Sequence, residues 1–65
     1  MDFGSNLKVQ RKKCGFTQKE LGQKLHVTFQ AVSRWENNDV EPSLETVKQM
    51  KEIFDCSYDD LFKDE

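Results

Sequence analysis

Apolar side chains recur along this chain at the three- and four-residue intervals of amphipathic helices, and no strand-like alternation of apolar and polar residues is present. Only one proline and three glycines interrupt the 65 residues. We therefore predict a compact all-α domain of four or five short helices. With Met1–Ser5 left out of the argument, their approximate bounds are 6–14, 18–25, 29–37, 44–54 and a last short segment after Ser57 that contains Leu61.

Residues that favour helix ends stand where these helices are predicted to begin and stop. Thr17 and Glu20 are spaced as a capping box, in which the hydroxyl accepts from a backbone N–H and the glutamate reaches back. Thr28 is predicted to cap the third helix and Ser43 the fourth. Gly15 suits the left-handed position that follows the first helix. No linker separates these elements, so the prediction is one domain, residues 1–65, with its core at about 6–62.

The second and third predicted helices differ in the faces they present. Leu21 and Leu25 form an inward face on the second helix, and Val32 is the inward residue of the third. His26 and Val27 form the short break between them, with Val27 placed to fill the core. A packed helix, a short break and a helix with a polar face make the arrangement of a helix-turn-helix. In that arrangement the second of the two helices enters the DNA major groove.

The net charge of −2 is unusual for a protein that binds nucleic acid, but the charges are unevenly distributed. Residues 1–38 contain seven basic and three acidic residues, whereas residues 39–65 contain three basic and nine acidic ones. A phosphate backbone responds to the surface that faces it rather than to the total charge. Because the predicted helix-turn-helix lies in the basic half, the total charge does not exclude DNA binding.

Side chains that would support catalysis or metal binding are scarce in the sequence. Cys14 and Cys56 are far apart, and His26 is the single histidine, so no zinc-ligand set is present. We expect no enzyme activity, no metal, no cofactor and no small-molecule ligand; a redox role for the two cysteines stays open. No segment is apolar enough to span a membrane and no signal-peptide pattern opens the chain, so a cytoplasmic location is expected.

A resemblance to the phage-repressor/Cro class of helix-turn-helix domains, the Xre family, is carried by three stretches: GFTQKELGQKLHVTFQAVSRWENN, PSLETVKQM and CSYDDLF. It covers nearly the whole chain, from Leu7 to Phe62. The resemblance implies a lambda-repressor-like fold of five helices, with helices 2 and 3 forming the helix-turn-helix. It also implies a transcriptional regulator, a repressor rather than an activator, that binds double-stranded DNA at a palindromic operator as a homodimer.

The resemblance assigns roles to individual residues by their positions in the motif. The residues expected to face bases are Phe29, Gln30, Ser33 and Arg34. Those expected to contact phosphate are Thr17, Gln18, Thr28, Asn37 and Asn38, the last two through backbone amides. Gln18 is also expected to brace the third helix, called the reading helix because it is the one expected to contact bases. Arg11 and Glu36 are expected to form a structural pair.

The chemistry of three of these side chains suggests what they would read. Gln30 can form two hydrogen bonds with adenine, and Arg34 can do the same with guanine. Phe29 can pack on thymine methyl groups, which favours an A·T pair. Two alternatives stay open. Phe29 could be half-buried against the turn, and Arg34 could contact a phosphate without contacting a base.

Three residues depart from the family pattern, and one alternative function remains. Gln10 replaces an apolar residue, His26 replaces the usual glycine, and Gly22 replaces an alanine at a cost of roughly 1 kcal/mol of helix propensity. The dimer surface is expected at Tyr58, Leu61 and Phe62, although these could equally be core. The alternative function is a protein-interaction module, antitoxin-like or an anti-repressor, that keeps the fold without binding an operator.

Overall fold

The computed structural model describes residues 2–64, and within them the chain forms five α-helices and no strand. The helices are α1 (Phe3–Lys13), α2 (Gln18–Leu25), α3 (Phe29–Glu36), α4 (Leu44–Phe54) and α5 (Tyr58–Phe62). They pack into a body of 28 × 24 × 21 Å. The predicted all-α class is confirmed, and the predicted bounds of α2 agree with the structure residue for residue.

The first helix begins earlier than the apolar pattern predicts. Asp2 caps it by accepting a hydrogen bond from the backbone N–H of Ser5 at 2.8 Å, so α1 starts at Phe3. Gly4 is buried against the end of α3, where an added Cβ would lie 2.3 Å from the carbonyl oxygen of Glu36. The predicted start of the first helix at about residue 6 was therefore wrong, and the glycine of the earlier segment is what allows α1 and α3 to touch.

The core lies where all five helices meet, and each contributes to it. Nine apolar side chains are buried there: Leu7, Leu21, Leu25, Val32, Trp35, Val47, Met50, Phe54 and Leu61. Val27, in the turn between α2 and α3, packs against this core as predicted. Arg11, in the last turn of α1, is buried, whereas Cys14, the residue after this helix, is exposed. Burial of each large apolar side chain stabilises the fold by about 1.5–3 kcal/mol.

The turn between α2 and α3 is tight, and two residues make it possible: one adopts a left-handed backbone conformation and the other lacks a Cβ. His26 adopts the left-handed conformation, with φ of 59°, in the place where a glycine is usual. A Cβ on Gly22 would lie 2.8 Å from the carbonyl oxygen of Val27, closer than real Cβ atoms approach. We expected Gly22 only to weaken α2; in the structure it allows the chain after the turn to pass close to the helix.

The last helix is held to the first by a buried amide. The Asn6 side chain, 3% exposed, donates to the carbonyl oxygens of Leu61 at 3.0 Å and Lys63 at 2.8 Å. Leu61 is completely enclosed, so its expected place in a dimer surface is wrong. Tyr58 and Phe62 remain 46% and 52% exposed.

Neither a membrane-spanning helix nor a metal-binding cluster occurs among residues 2–64. None of the helices there has both the length and the apolar character that crossing a bilayer requires. No group of three or more His, Cys, Asp or Glu residues in the same range could hold a metal ion. Both cysteines are free thiols, and burial raises the pKa of the Cys56 thiol, which disfavours the reactive thiolate.

Candidate nucleic-acid interface

The helix α3 turns one side to the core and the other to solvent. Val32 and Trp35 lie on the buried side. The four residues expected to face bases lie on the outward side or at its edge: Phe29, Gln30 and Arg34 are exposed, and Ser33 is partly buried. Phe29 is 50% exposed, so its ring offers an apolar surface to solvent while part of it rests on the protein. The outward side of α3 therefore brings an amide, a guanidinium and an aromatic ring together.

The two threonines that begin α2 and α3 behave differently. Thr17 forms the predicted capping box: its hydroxyl accepts from the Glu20 N–H at 3.0 Å, and the Glu20 carboxylate accepts from the Thr17 N–H at 2.9 Å. That second bond is the main reason why the pKa of the Glu20 carboxyl is lowered. Thr28 stands at the N-cap position of α3, but its side chain makes no cap hydrogen bond, which corrects the prediction. The residue three positions on is Ala31, which cannot reach back as Glu20 does.

The end of α3 is tied to the rest of the protein through the carboxylate of Glu36. Arg11 donates to it twice, from Nε to Oε2 at 2.6 Å and from Nη2 to Oε1 at 3.2 Å. The Gln18 side-chain amide donates to Oε1 at 3.1 Å. Both side chains of the ion pair are buried, at 9% and 2% exposure, and Arg11 also donates to the Phe16 carbonyl oxygen at 2.8 Å. This network joins α1, the first residue of α2 and the last residue of α3.

Gln18 therefore has a structural use as well as a position suited to an anion. Its side-chain nitrogen is engaged with Glu36, so the side chain braces α3. Its backbone N–H opens α2, and the N–H groups at the start of a helix favour a negatively charged group such as a phosphate.

The loop that follows α3 does not offer the amides that we expected to meet phosphate. The Asn37 N–H donates to the Ser33 carbonyl oxygen at 3.0 Å, and the Asn38 N–H donates to that of Trp35 at 3.2 Å. Asn38 adopts a left-handed conformation with φ of 61°, and its Oδ1 accepts from the Gly4 N–H at 3.0 Å. Both backbone amides serve as internal caps of α3, so a phosphate contact here would have to use a side chain.

The contribution of Asp2 and Gly4 to this region was not predicted from the sequence pattern. The signal for Asp2 was present, because aspartate is among the residues favoured at a helix N-cap. The role of Gly4 carried no such signal. Its importance arises from contact with Glu36 and Asn38, which are more than thirty positions away along the chain.

A family model of the helix-turn-helix matches residues 7–61 of this chain. The chain is similar to the HTH-type transcriptional regulator ImmR of Bacillus subtilis (strain 168), with 35% identity over 66 residues, covering 100% of this chain and 52% of the relative. It is also similar to the HTH-type transcriptional activator BcrR of Enterococcus faecalis, with 31% identity over 65 residues, covering 100% of this chain and 32% of the relative. The chain thus spans about half the length of the first and about a third of the second.

One solved structure similar to the chain is that of the P22 c2 repressor, a protein of Salmonella phage P22, in complex with synthetic operator 9T in the presence of Tl+. The TM-score is 0.88 and the sequence identity 32%, over 97% of this chain and 96% of that one. The predicted lambda-repressor-like fold and the resemblance to phage repressors are thereby confirmed.

Proposed function

The chain belongs to the helix-turn-helix family, and on this premise we propose that it binds double-stranded DNA sequence-specifically and represses transcription. In the proposed complex α3 lies in the major groove. The observation that carries the proposal is the outward side of α3, which presents Gln30 and Arg34 to solvent while Val32 and Trp35 anchor the same helix in the core.

The proposed base contacts follow from the chemistry of the exposed groups. A Gln30 amide fits adenine N6 and N7, and an Arg34 guanidinium fits guanine O6 and N7, each worth about 1–3 kcal/mol of discrimination. Phe29 packs against a thymine methyl group, and Ser33 reaches a base or a neighbouring phosphate from the edge of the same face.

The proposed phosphate contacts use the two helix starts and the end of α3. The Thr28 hydroxyl makes no cap hydrogen bond and the residue is exposed, which suits a contact with phosphate. Thr17 and the backbone N–H of Gln18 open α2, where an anion is favoured. Asn37 is exposed and contributes its side chain rather than its amide.

The rigidity of this surface supports sequence reading as well as attraction. Reading a base needs each side chain to be held in register, and side chains on a fixed helix lose less freedom on binding. The contacts of the Glu36 carboxylate with Arg11 and Gln18 tie the end of α3 to two other helices.

We propose further that two copies bind a palindromic operator together and contact each other through an apolar patch. This patch surrounds a cavity of about 180 Å³ lined by Phe3, Glu41, Pro42, Leu44, Val47 and Phe62. Leu44 is 84% exposed, and the rings of Phe3 and Phe62 lie 5.2 Å apart. Half-sites one helical turn apart put two reading helices about 34–36 Å from each other. A body of 28 × 24 × 21 Å is only slightly smaller than this spacing, which lets neighbouring copies come close to one another.

The first test is selection of bound duplexes from a random library at near-physiological salt. The proposal expects an enriched palindrome whose half-sites are about one helical turn apart. An enriched single half-site would contradict the dimer but not the reading of DNA. A pool without enrichment, also for an artificially fused dimer, would contradict DNA reading and favour the protein-interaction module. Placing the selected site in a reporter promoter then separates repression from activation.

Two variants test the division between base reading and phosphate contact. Arg34→Ala should relax the preference at one base position, whereas Thr28→Val, which removes only the hydroxyl proposed to contact phosphate, should weaken binding to all sequences alike. Lys48→Ala is the matched control for Arg34→Ala, because it removes one positive charge from an exposed residue of α4. If Arg34→Ala weakens all sequences equally, or Lys48→Ala changes base preference, the assignment is wrong.

A further inference from the structure

The first turn of α1 lies against the loop that follows α3, where it contacts Asn38, two residues after the end of that helix. The Gly4 N–H donates to Asn38 Oδ1 at 3.0 Å, which joins positions 34 apart in the chain. The Asp2 carboxylate caps the same turn by accepting from the Ser5 N–H at 2.8 Å, and this bond, with the Asn38 side chain close by, lowers the pKa of the Asp2 carboxyl. One asparagine side chain therefore connects the start of α1 to the end of α3.

The two segments are also in direct backbone contact. A Cβ on Gly4 would lie 2.3 Å from the Glu36 carbonyl oxygen and 2.8 Å from that of Trp35. These carbonyls belong to the last turn of α3, the turn that also carries Arg34. The Asp39 N–H closes the same turn by donating to the Arg34 carbonyl oxygen at 2.9 Å. Any movement of the start of α1 away from the loop would leave this turn without its outer support.

We propose that Asp2, Gly4 and Asn38 form a clamp that holds the last turn of α3 in the conformation in which the protein binds DNA. In this clamp Asn38 is a positioning residue and not a phosphate ligand. The inference rests on the proposed function, since it assigns the clamp a role in DNA affinity. The physical reason is entropic: a turn that is already ordered does not have to be ordered at the moment of binding.

The geometry of Asn38 allows a clean test of this role. Asn38→Gly removes the side chain while keeping a residue that readily adopts φ of 61°. The loss of its side-chain hydrogen bond to the Gly4 N–H should weaken binding to the selected operator about threefold to tenfold, with the base preferences unchanged. His26→Gly is the matched control, because it removes another neutral side chain from a left-handed residue, and it should not weaken binding.

A double variant separates the clamp from a direct phosphate contact. Asp2→Ala and Asp2→Asn remove the same charge, but asparagine can still accept the cap hydrogen bond from the Ser5 N–H. The clamp predicts weaker binding for the alanine variant than for the asparagine variant. It also predicts that Asp2→Ala weakens operator binding by a smaller factor in the Asn38→Gly variant than in the unaltered protein. The reason is that both changes loosen the same contact, between the start of α1 and the loop after α3. Equal affinities of the two Asp2 variants, or factors that simply multiply, would overturn the clamp.

A measurement without DNA completes the test. In the free protein, Asn38→Gly should make the backbone amides at positions 38 and 39 exchange with solvent about tenfold faster or more, after correction for the intrinsic exchange rate of each residue type, because their hydrogen bonds to α3 open more often. Unchanged exchange would overturn the clamp. Faster exchange with unchanged operator affinity would overturn its role in binding. If the unaltered protein bound no DNA, the proposed function would fail by itself, and exchange would still decide whether Asn38 holds the loop.

Discussion

Replacing Glu36 by alanine is expected to remove much of the stability of this protein. The carboxylate accepts three hydrogen bonds, at 2.6 and 3.2 Å from Arg11 and at 3.1 Å from Gln18, and its side chain is only 2% exposed. In the variant, Arg11 would keep its bond to the Phe16 carbonyl oxygen but would hold a buried positive charge without a counter-ion.

The expected magnitude follows from the burial of the pair. Removing one partner of a buried, hydrogen-bonded ion pair costs about 3–5 kcal/mol, because the remaining charge stays desolvated. A domain of this length has a total free energy of unfolding of roughly 3–10 kcal/mol. Glu36→Ala should therefore lose a third of the stability at the least, and the variant will be largely unfolded if the natural value is near the lower limit.

The single tryptophan provides the assay. Trp35 precedes Glu36 in the chain and is 8% exposed, so its fluorescence reports directly on unfolding of the region that is changed. Urea titrations of the two proteins would give the difference in free energy of unfolding. Glu52→Ala, at an exposed site of α4, is the matched control and should change the stability by no more than about 0.5 kcal/mol.

A double variant sharpens the test. Replacing Arg11 by methionine together with Glu36 by leucine removes both charges, so the pair should lose less stability than Glu36→Ala alone. A loss below about 1 kcal/mol for Glu36→Ala would refute the argument, because it would mean that the charge left on Arg11 is not desolvated. A double variant that loses the sum of its two single changes would refute the coupling between them.

Two further changes are expected from the backbone and from titration. His26→Gly should raise the free energy of unfolding by about 0.5–1 kcal/mol in a urea titration, because glycine adopts the left-handed conformation of this residue without strain; an unchanged or lower value would count against that strain. Hydrogen bonds from backbone N–H groups three residues away lower the pKa values of the Asp2, Glu20 and Asp60 carboxyl groups. The stability that these groups contribute is fully present above their unfolded pKa values, about 3.9 for Asp and 4.3 for Glu. It is lost as the pH falls through the lower pKa values of the folded state. A urea midpoint that stays constant from neutral pH to about pH 3 would contradict this.

Local signals in the sequence were sufficient for most helix boundaries. The Thr17–Glu20 capping box involves residues three positions apart, so its hydrogen bonds follow from the spacing alone. The inward residues of α2 and α3 also followed from helical periodicity. The prediction for Thr28 was only half right: it stands at the N-cap position of α3, but its side chain makes no cap hydrogen bond.

The face of a very short helix could not be predicted from periodicity. In α5, Leu61 and Phe62 are adjacent, and five residues are too few for an apolar stripe to be recognised. The structure encloses Leu61 and leaves Phe62 half exposed, because Asn6 draws the carbonyl end of α5 onto α1. The surface proposed for dimerisation was therefore decided by a contact between residues 55 positions apart.

The sequence by itself determined the number and type of helices, the capping box and which residues of α3 point outward, because each depends on neighbours within one or two helical turns. Tertiary structure decided how that helix is held. The close approach of Gly4 to Glu36 and the bond from Gly4 to Asn38 join segments that are distant in the chain. No local pattern encodes such contacts, since they arise only when the core brings α1 and α3 together and leaves their backbones in touch.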